Sequence, residues 1–442
     1  MNPLREPATL CSMRNDFFDI GLTTIKELET DNGILASGRE EVYGCIFGRD
    51  SLITCLKLLR VYEALPEPYF LGLARKILTN LVKLQGKSEN IESGEEPGKC
   101  IHEYRPTGHE HLTQRAWQPW YVYPDNIMRN YDSVDATPLL LVALYRYAEI
   151  AGADETFLKE VLGGVVSAIE WIFGYGDKSG GGFINYQFPH GRQHGGLGVQ
   201  NWVDSAESVF HEDGSVVTYP VAPVEVQAYT WLALRLWAQF FASRDHLLSR
   251  TLEERAAGLK RRFNETFVFA SEQPFSIAYA IDGAAKPMRS VRSNPGHILW
   301  ASLRGEQDAP ECILQEVCIP KLAGRLLEAD LFEPMAGIRT LSTASRGFNL
   351  LEYANGSIYP HDNGMIIEGL ERFGYTHEAE WVRRALRLAF DHFKTPIEFY
   401  VCHDGSLSEG CSPFAKPCKK AAWSAAAMLE LSLAPESPNR LV

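Results

Sequence analysis

Residues 132–150, DSVDATPLLLVALYRYAEI, decide the fold of this 442-residue chain. Within them LVALYRYAEI sets Leu141, Leu144, Tyr145 and Ala148 at helical spacing, on one face. The same period recurs near 14–30, 50–64, 68–86, 155–174, 223–243, 246–267, 296–304, 312–328, 362–373, 377–394 and 420–433, which with 135–151 makes about twelve amphipathic segments. Strand-like alternation is weak and confined to short pieces such as GGFINYQF. Long connections rich in Gly, Asn, His and Trp separate the helices at 87–134, 175–222, 279–296, 329–361 and 395–419, and loops of that length in a compact protein are usually functional. They recur after every second helix, and no Pro/Ser linker or low-complexity tract divides the chain. The expectation is therefore all-α, one domain over 1–442. A ring of about six helical hairpins, inner and outer helices alternating, would gather the long loops into a funnel at one end.

Composition narrows the function. Hydrophobic residues make up 45% and charged residues 22%, globular proportions that argue against disorder. Aromatic content is 11%, with nine Trp and eighteen Tyr, which suits both a large core and stacking on sugar rings. A net charge of −13 and a pI near 5.5 repel phosphate backbones and anionic membranes, so nucleic-acid and membrane partners are disfavoured and a neutral small molecule is favoured. The nine Cys are scattered singly: Cys11, Cys45, Cys55 and Cys100 fall in different segments, and Cys312/Cys318 and Cys411/Cys418 match no usual metal spacing. Reduced, mostly buried thiols in a cytoplasmic protein are expected. The opening MNPLREPATLCSMRNDFFDI has no basic start followed by an apolar run, so no signal peptide is expected, and no apolar run approaches the roughly 18 residues of a membrane span.

The chemistry is marked first by GLGVQNWVDSAESV (196–209), where Asp204 follows Gln200, Asn201 and Trp202. Pyranose faces stack on rings and hydroxyls bind amides and carboxylates, which makes Asp204 a candidate glycosidase acid, with Trp202 placed to desolvate it. FGRDSLIT (47–54) puts Arg49 and Asp50 at a helix start, where Asp50 reads as a site carboxylate or as a helix cap. GKCIHEYRP (98–106) brings His102, Glu103 and Arg105, and the loop beyond holds Trp117, Trp120, Tyr121, Tyr123 and Tyr131. Asp132 and Asp135 precede the apolar helix, Asp135 again open to a capping reading. VAPVEVQAYTW (221–231) carries Glu225 and Gln227 two apart on a helix, so only one of them is expected to reach a common site. SNPGHILW offers Asn294 and His297, and GIRTLS offers Arg339. NGSIYPHDNGMI sets Asn355, Tyr359, His361, Asp362 and Asn363 at a helix start, and TPIEFYVCHDGS places Glu398 beside Phe399 and Tyr400 before the last helix. The His residues are mostly dispersed and no HExxH spacing occurs, so neither a metal nor a cofactor is expected.

The order of these motifs carries more than any one of them. GREEVYGCIFGRDSLIT, EEPGKCIHEYR, DSVDATPLLL, GVQNWVDSAES, PVEVQAYTW, SNPGHILW, GIRTLS, NGSIYPHDN and CKKAAWSAAAMLEL resemble successive blocks of bacterial amylo-α-1,6-glucosidases, the glycogen-debranching type, over roughly residues 30 to 433. The resemblance implies an (α/α)6 toroid, the six-hairpin glycosidase barrel shared with glucoamylases, processing α-glucosidases, mannosylglycerate hydrolases and neutral invertases. It implies Asp204 as general acid and Glu398 as general base of an inverting hydrolase, in which one carboxyl gives its proton to the leaving oxygen while an ionised carboxylate across the ring activates water. Such a pair should sit about 6.5–9.5 Å apart, the acid with a raised pKa and the base without one. By the same resemblance Arg49, Asp50, His102, Glu103, Arg105, Asp132, Gln227, Asn294, His297, Arg339 and His361 serve substrate binding or support it. Trp120, Trp202 and Tyr359 join them, as do Asp135, Glu225 and Asp362.

Departures from that family bear on the substrate. Typical debranching members carry a long N-terminal β-rich domain, whereas this chain starts almost at the barrel. The usual His-Asn-Gly-Ser-Val-Trp-Pro block reads ANGSIYP, with Ala354 and Tyr359 in place of His and Trp, and Ile397 stands between Pro396 and Glu398. These favour a short α-glucoside or another small glycoside over a glycogen branch point. Alternatives are another activity on the same barrel (a β-fructosidase, a mannosylglycerate-type hydrolase, a sugar epimerase or a phosphorylase) and a glycan-binding protein without turnover.

Overall fold

Residues 16–152, 154–304, 309–410 and 416–433 are described in a computed structural model of the chain; Cys11, Cys411 and the first residues of the expected opening helix lie outside them. The helices are α1 (Asp16–Leu28), α2 (Gly48–Ala64), α3 (Pro68–Lys83), α4 (Glu110–Thr113), α5 (Ala136–Ile150), α6 (Glu155–Gly174), α7 (Val224–Phe241), α8 (His246–Thr266), α9 (His297–Trp300), α10 (Ile319–Leu326), α11 (Pro360–Arg372), α12 (Thr376–Phe393) and α13 (Ala422–Leu433). Apart from α4, one turn inside a loop, these are the twelve that the apolar period predicts.

Burial sorts them into two rings. Helix α7 buries 15 of its 18 residues, whereas its partner α8 buries 5 of 21, the stripe Leu252, Ala256, Gly258, Leu259 and Phe263. A helix apolar all round belongs inside and one with a single apolar stripe outside. On this criterion α2, α5, α7, α9, α11 and α13 form the inner ring; each packs against the next and α13 returns to α2. The outer helices α1, α3, α6, α8, α10 and α12 alternate with them in sequence. The architecture is an all-α toroid of helical hairpins with minor β pieces. A fully buried side chain such as Trp231 or Leu141 stabilises it by about 1.5–3 kcal/mol.

Connection length separates the two ends of the barrel. Outer-to-inner connections are long (29–47, 84–135, 175–223, 267–296, 327–359 and 394–421), whereas four of the five inner-to-outer ones span three or four residues. Each long connection is also tied to the next. Ile46–Phe47 pairs with Glu103–Arg105, and Val134 N–H donates to Gln200 O at 2.8 Å. Ala222–Pro223 pairs with Ala280–Ile281, and Arg292 bridges Leu341. Ile358 bridges Tyr400, and Ser37 bridges Ala421, closing the circle. Backbone polar groups in these loops are thereby satisfied by neighbouring loops, which holds irregular segments over the barrel mouth.

Two expected helices are shorter than their apolar runs. The one over 296–304 stops at Trp300, because Ser302–Arg304 pairs as a strand with Pro310–Cys312. The one over 312–328 starts at Ile319, because Pro320 lacks the N–H an internal turn needs and is tolerated only in the first turn. The seven described cysteines are free and buried. No helix among the described residues is long and apolar enough to cross a membrane.

Candidate active site

A cavity of about 790 Å³ opens where the long connections meet. Five of them and the starts of α2 and α13 supply its walls, from Val42 in the first connection to Glu398 in the last and Trp423 beyond it. Nine of the residues singled out in the sequence line it: Arg49, Asp50, His102, Glu103 and Arg105 on one side, with Trp120, Trp202, Asp204 and Glu398.

Local structure explains their convergence. Gly48 opens α2 and donates its N–H to His102 O at 2.9 Å; a Cβ there would lie 2.0 Å from Ile101 O, so this close approach requires glycine. The contact locks the Arg49–Asp50 pair against the strand carrying Glu103 and Arg105. Trp120 is fixed by a bridge to Gly195, and Glu398 by the Ile358–Tyr400 bridge and by its own N–H donating to Cys418 O at 2.9 Å.

Neither suspected helix cap is one. Asp135 precedes α5 but makes no capping hydrogen bond, and the cap position of α2 is Phe47, with Asp50 inside the first turn. Asp135 instead accepts from Arg49 Nε at 2.7 Å and from Ser133 Oγ at 2.6 Å, wholly buried. Arg49 Nη1 donates onward to Asp204 Oδ2 at 3.0 Å. Burial weighs against the guanidinium charge, but Asp135, Asp204 and Asp50 outweigh it and keep Arg49 protonated.

Three carboxyls in the cavity bind protons more tightly than usual. Burial raises the Asp204 pKa above its ordinary value, with Arg49 opposing the rise. Burial pushes Asp50 up to about 7 against Arg49, reinforced by Glu398 and Asp204. Glu398 is also pushed up to about 7 by burial, although the Cys418 N–H donates to its Oε2 at 2.9 Å and the Tyr353 hydroxyl to its Oε1, both favouring the ionised form. Thus the expected contrast, a raised acid beside an unshifted base, is not what the cavity holds. Both members of the pair are raised, since both are buried. His102 is driven well below its usual pKa by burial and then by Arg49, and so is neutral.

The other ten residues assigned by resemblance do not line the cavity. Asp135, as described, anchors Arg49. Asp132 gives both oxygens to Arg192 Nη1, at 2.8 and 2.9 Å, and one to Leu197 N–H at 3.0 Å, shaping the loop that carries Leu197. Glu225 accepts from Asn201 Nδ2 at 2.7 Å, whereas Gln227, also buried, is spent on the backbone of Ile184 and Pro223. His297 sits between the Tyr229 hydroxyl and Asp362, whose Oδ1 lies 2.7 Å from Nε2, and stacks under Trp202 with ring centres 5.7 Å apart. His361 stacks on Trp423 at 3.8 Å, and Tyr359 meets Trp202 edge-on. Asn294 is fully buried behind them. Arg339 is turned to Glu333 at 2.9 Å, away from the mouth. These side chains hold the wall; the resemblance identifies blocks, and blocks contain residues on both sides of a wall.

Several lining residues escaped the sequence reading, notably Tyr43, Glu207, Glu352, Tyr353 and Trp423. Tyr43, Glu207 and Trp423 stand inside the quoted blocks, and Tyr353 lies two residues before Asn355, so proximity to a block was the available signal. Among the described residues no group of three His, Cys, Asp or Glu side chains is placed to hold a metal ion.

No protein-family model matches the chain, and no curated protein matches it in sequence. Solved structures do match in shape. A GH63 mannosylglycerate hydrolase from Thermus thermophilus, in complex with Tris and D-glycerate, superposes with a TM-score of 0.64 at 12% identity over 94% of this chain and 99% of that one. The same enzyme in complex with glucose gives 0.61. A wild-type glycosidase gives 0.59 at 12% identity, over 97% of this chain and 100% of that one. None of these is named as an amylo-α-1,6-glucosidase, so the match does not reach the family suggested by the ordered blocks. At such identity the likeness establishes the fold: this chain has the architecture of six-hairpin glycosidases along nearly its whole described length.

Proposed function

We propose that the cavity binds a glycoside and hydrolyses it with inversion, Asp204 giving its proton to the leaving oxygen and Glu398 drawing one from the attacking water. The observation that carries this reading is that Asp204 and Glu398, 194 positions apart in sequence, line one aromatic cavity with raised proton affinities. A general acid must hold a proton, and burial shifts Asp204 in that direction. A base must release one, and the two donors on Glu398 favour its ionised form. Asp50 and the Glu103–Arg105 pair are suited to sugar hydroxyls, which charge-assisted hydrogen bonds bind strongly. Trp120, Trp202 and Trp423 supply flat surfaces for a pyranose. The preferred substrate is a short α-glucoside, in keeping with the amylo-α-1,6-glucosidase-like blocks. A mannosylglycerate-type reaction is the second reading, favoured by the shape match alone.

Asp204→Asn and Glu398→Gln are each expected to lower kcat by about 10³-fold or more while far-UV circular dichroism stays unchanged. NMR of fresh product from α-linked disaccharides should show the anomer opposite to the substrate's. Retention of configuration, or near-wild-type rates in either variant on a poor leaving group, sinks the assignment.

A further inference from the structure

The cavity has two zones of different chemistry. Deep in it, Glu398 is 3% exposed and the Asp204 side chain 19%. At the mouth, Val42 and Leu351 are 50% and 58% exposed, and the half-buried Leu112, Leu197 and Trp120 stand with them. Four different connections bring these apolar groups together, so their meeting is not an accident of one loop's sequence. An apolar surface left open at the rim of a polar cavity suits a ligand face that is itself apolar.

Charge adds a second constraint. Six carboxyl groups line the cavity, Asp50, Glu103, Asp204, Glu207, Glu352 and Glu398, against two guanidinium groups. Both of these are engaged. Arg49 is held by Asp135 and Asp204, and Arg105 donates to Glu103 and, at 2.5 Å, to Val42 O. His102 is neutral, and burial lowers the affinity of His111 for a proton. Among the described residues lining the cavity, both guanidinium groups already have a carboxylate partner, with only Nη2 of Arg49 unpartnered among their buried nitrogens. An anion brought here would meet an excess of carboxyl groups and no cation that lacks a carboxylate partner, which disfavours it.

We infer that the mouth is the subsite for the leaving group, that it takes an uncharged group with an apolar face, and that it turns away a leaving group bearing a carboxylate, such as glycerate. This rests on the glycosidase reading for what the group is attached to, but not for its charge. It also separates this chain from the mannosylglycerate hydrolase whose structure holds D-glycerate.

The test compares two ligands of one shape. The α-glucosyl and α-mannosyl derivatives of glycerate, and their uncharged amides, are titrated into the wild-type protein by tryptophan fluorescence and assayed as substrates. Each amide is expected to bind at least tenfold tighter than its acid, with the same preference in kcat/KM, and Leu351→Arg should shrink that ratio by giving the carboxylate a partner. An acid that binds as tightly as its amide overturns the inference whether or not either is cleaved. Preferential binding of the amides without cleavage upholds the subsite and removes the hydrolase reading, and failure of all four to bind overturns both.

Discussion

The inner helices α2, α11 and α13 carry buried charge at two levels, and the levels are treated differently. Near the long connections, Asp50 on α2 is in no salt bridge among the described residues, and with Glu398 it is pushed up to about 7. About two turns further along α2, Lys57 Nζ lies 3.0 Å from Glu368 Oε1 on α11 and 2.9 Å from Glu430 Oε2 on α13. Arg60 Nε meets Glu430 Oε1 at 2.5 Å, and Trp300 Nε1 donates to Glu368 Oε2 at 3.1 Å. Burial pushes Glu368 up as well, yet Lys57, Arg60 and Arg372 outweigh it and hold that carboxyl at about 2. The helix faces make room for this: a Cβ on Gly364 would come 2.8 Å from Lys57 Nζ. The two levels thus differ in protonation because they differ in the cations supplied. The Lys57 level is built for permanence. The cavity level leaves Asp50 and Glu398 without a salt-bridge partner among the described residues, the arrangement expected where proton transfer and ligand binding matter more than stability.

The largest expected effect comes from removing the compensation at Lys57. Lys57→Met leaves Glu368 and Glu430 buried with fewer partners, and loss of one member of a buried ion network costs about 3–5 kcal/mol. Urea unfolding should show the fall directly, and a variant as stable as wild type would remove the claim that these charges hold the ring. The pH dependence has a defined sign. Glu368 contributes stability above its unfolded value near 4, and that contribution is lost as pH falls toward about 2.

At the cavity level the sign reverses, and the effect is smaller because Asp50 is half-buried and faces the cavity. Between its unfolded value near 4 and its folded value of about 7, the native state binds the proton more tightly, so stability falls as pH rises through that window. Asp50→Asn should therefore raise Tm at pH 8 by about 2–4 °C, a gain that fades toward pH 5. The same substitution should lower kcat/KM about 10–100-fold through loss of a charged hydrogen bond to substrate. A variant less stable than wild type at pH 8 would erase the contrast between the two levels.

How far the sequence revealed this follows the same division. The twelve helices were legible because an apolar period survives in each ring helix, even in α7, where nearly every residue is buried. The wall residues were legible only as blocks. Gln227 is as polar as Asp50 and Asp132 carries the same carboxyl, and nothing in their neighbours shows that one bonds to a loop backbone and the other to Arg192 while Asp50 faces the cavity. Orientation there is decided by contacts between connections far apart in sequence, such as Ile358 with Tyr400. The capping alternatives failed for a related reason: Asp135 stands beside a helix start but is claimed by Arg49, 86 positions away. Tyr353 was invisible for the same cause, since its partner Glu398 belongs to the next connection.

Tyr353 gives the smallest and sharpest test of the contrast. Its hydroxyl is one of two donors that offset the burial of Glu398, doing weakly for the cavity level what Lys57 does strongly for its own. A donor to the ionised form lowers a carboxyl's pKa, so Tyr353→Phe should raise that of Glu398 above about 7. If Glu398 is the base, kcat/KM rises with pH as it ionises, and the ascending limb of the profile should move to higher pH by about half a unit, a fraction of a kcal/mol. At pH 8.5, beyond that limb, the variant should regain most of its rate. A purely structural tyrosine would lower the whole profile without moving it, and an unmoved limb would mean that Glu398 is not the group whose ionisation starts the reaction.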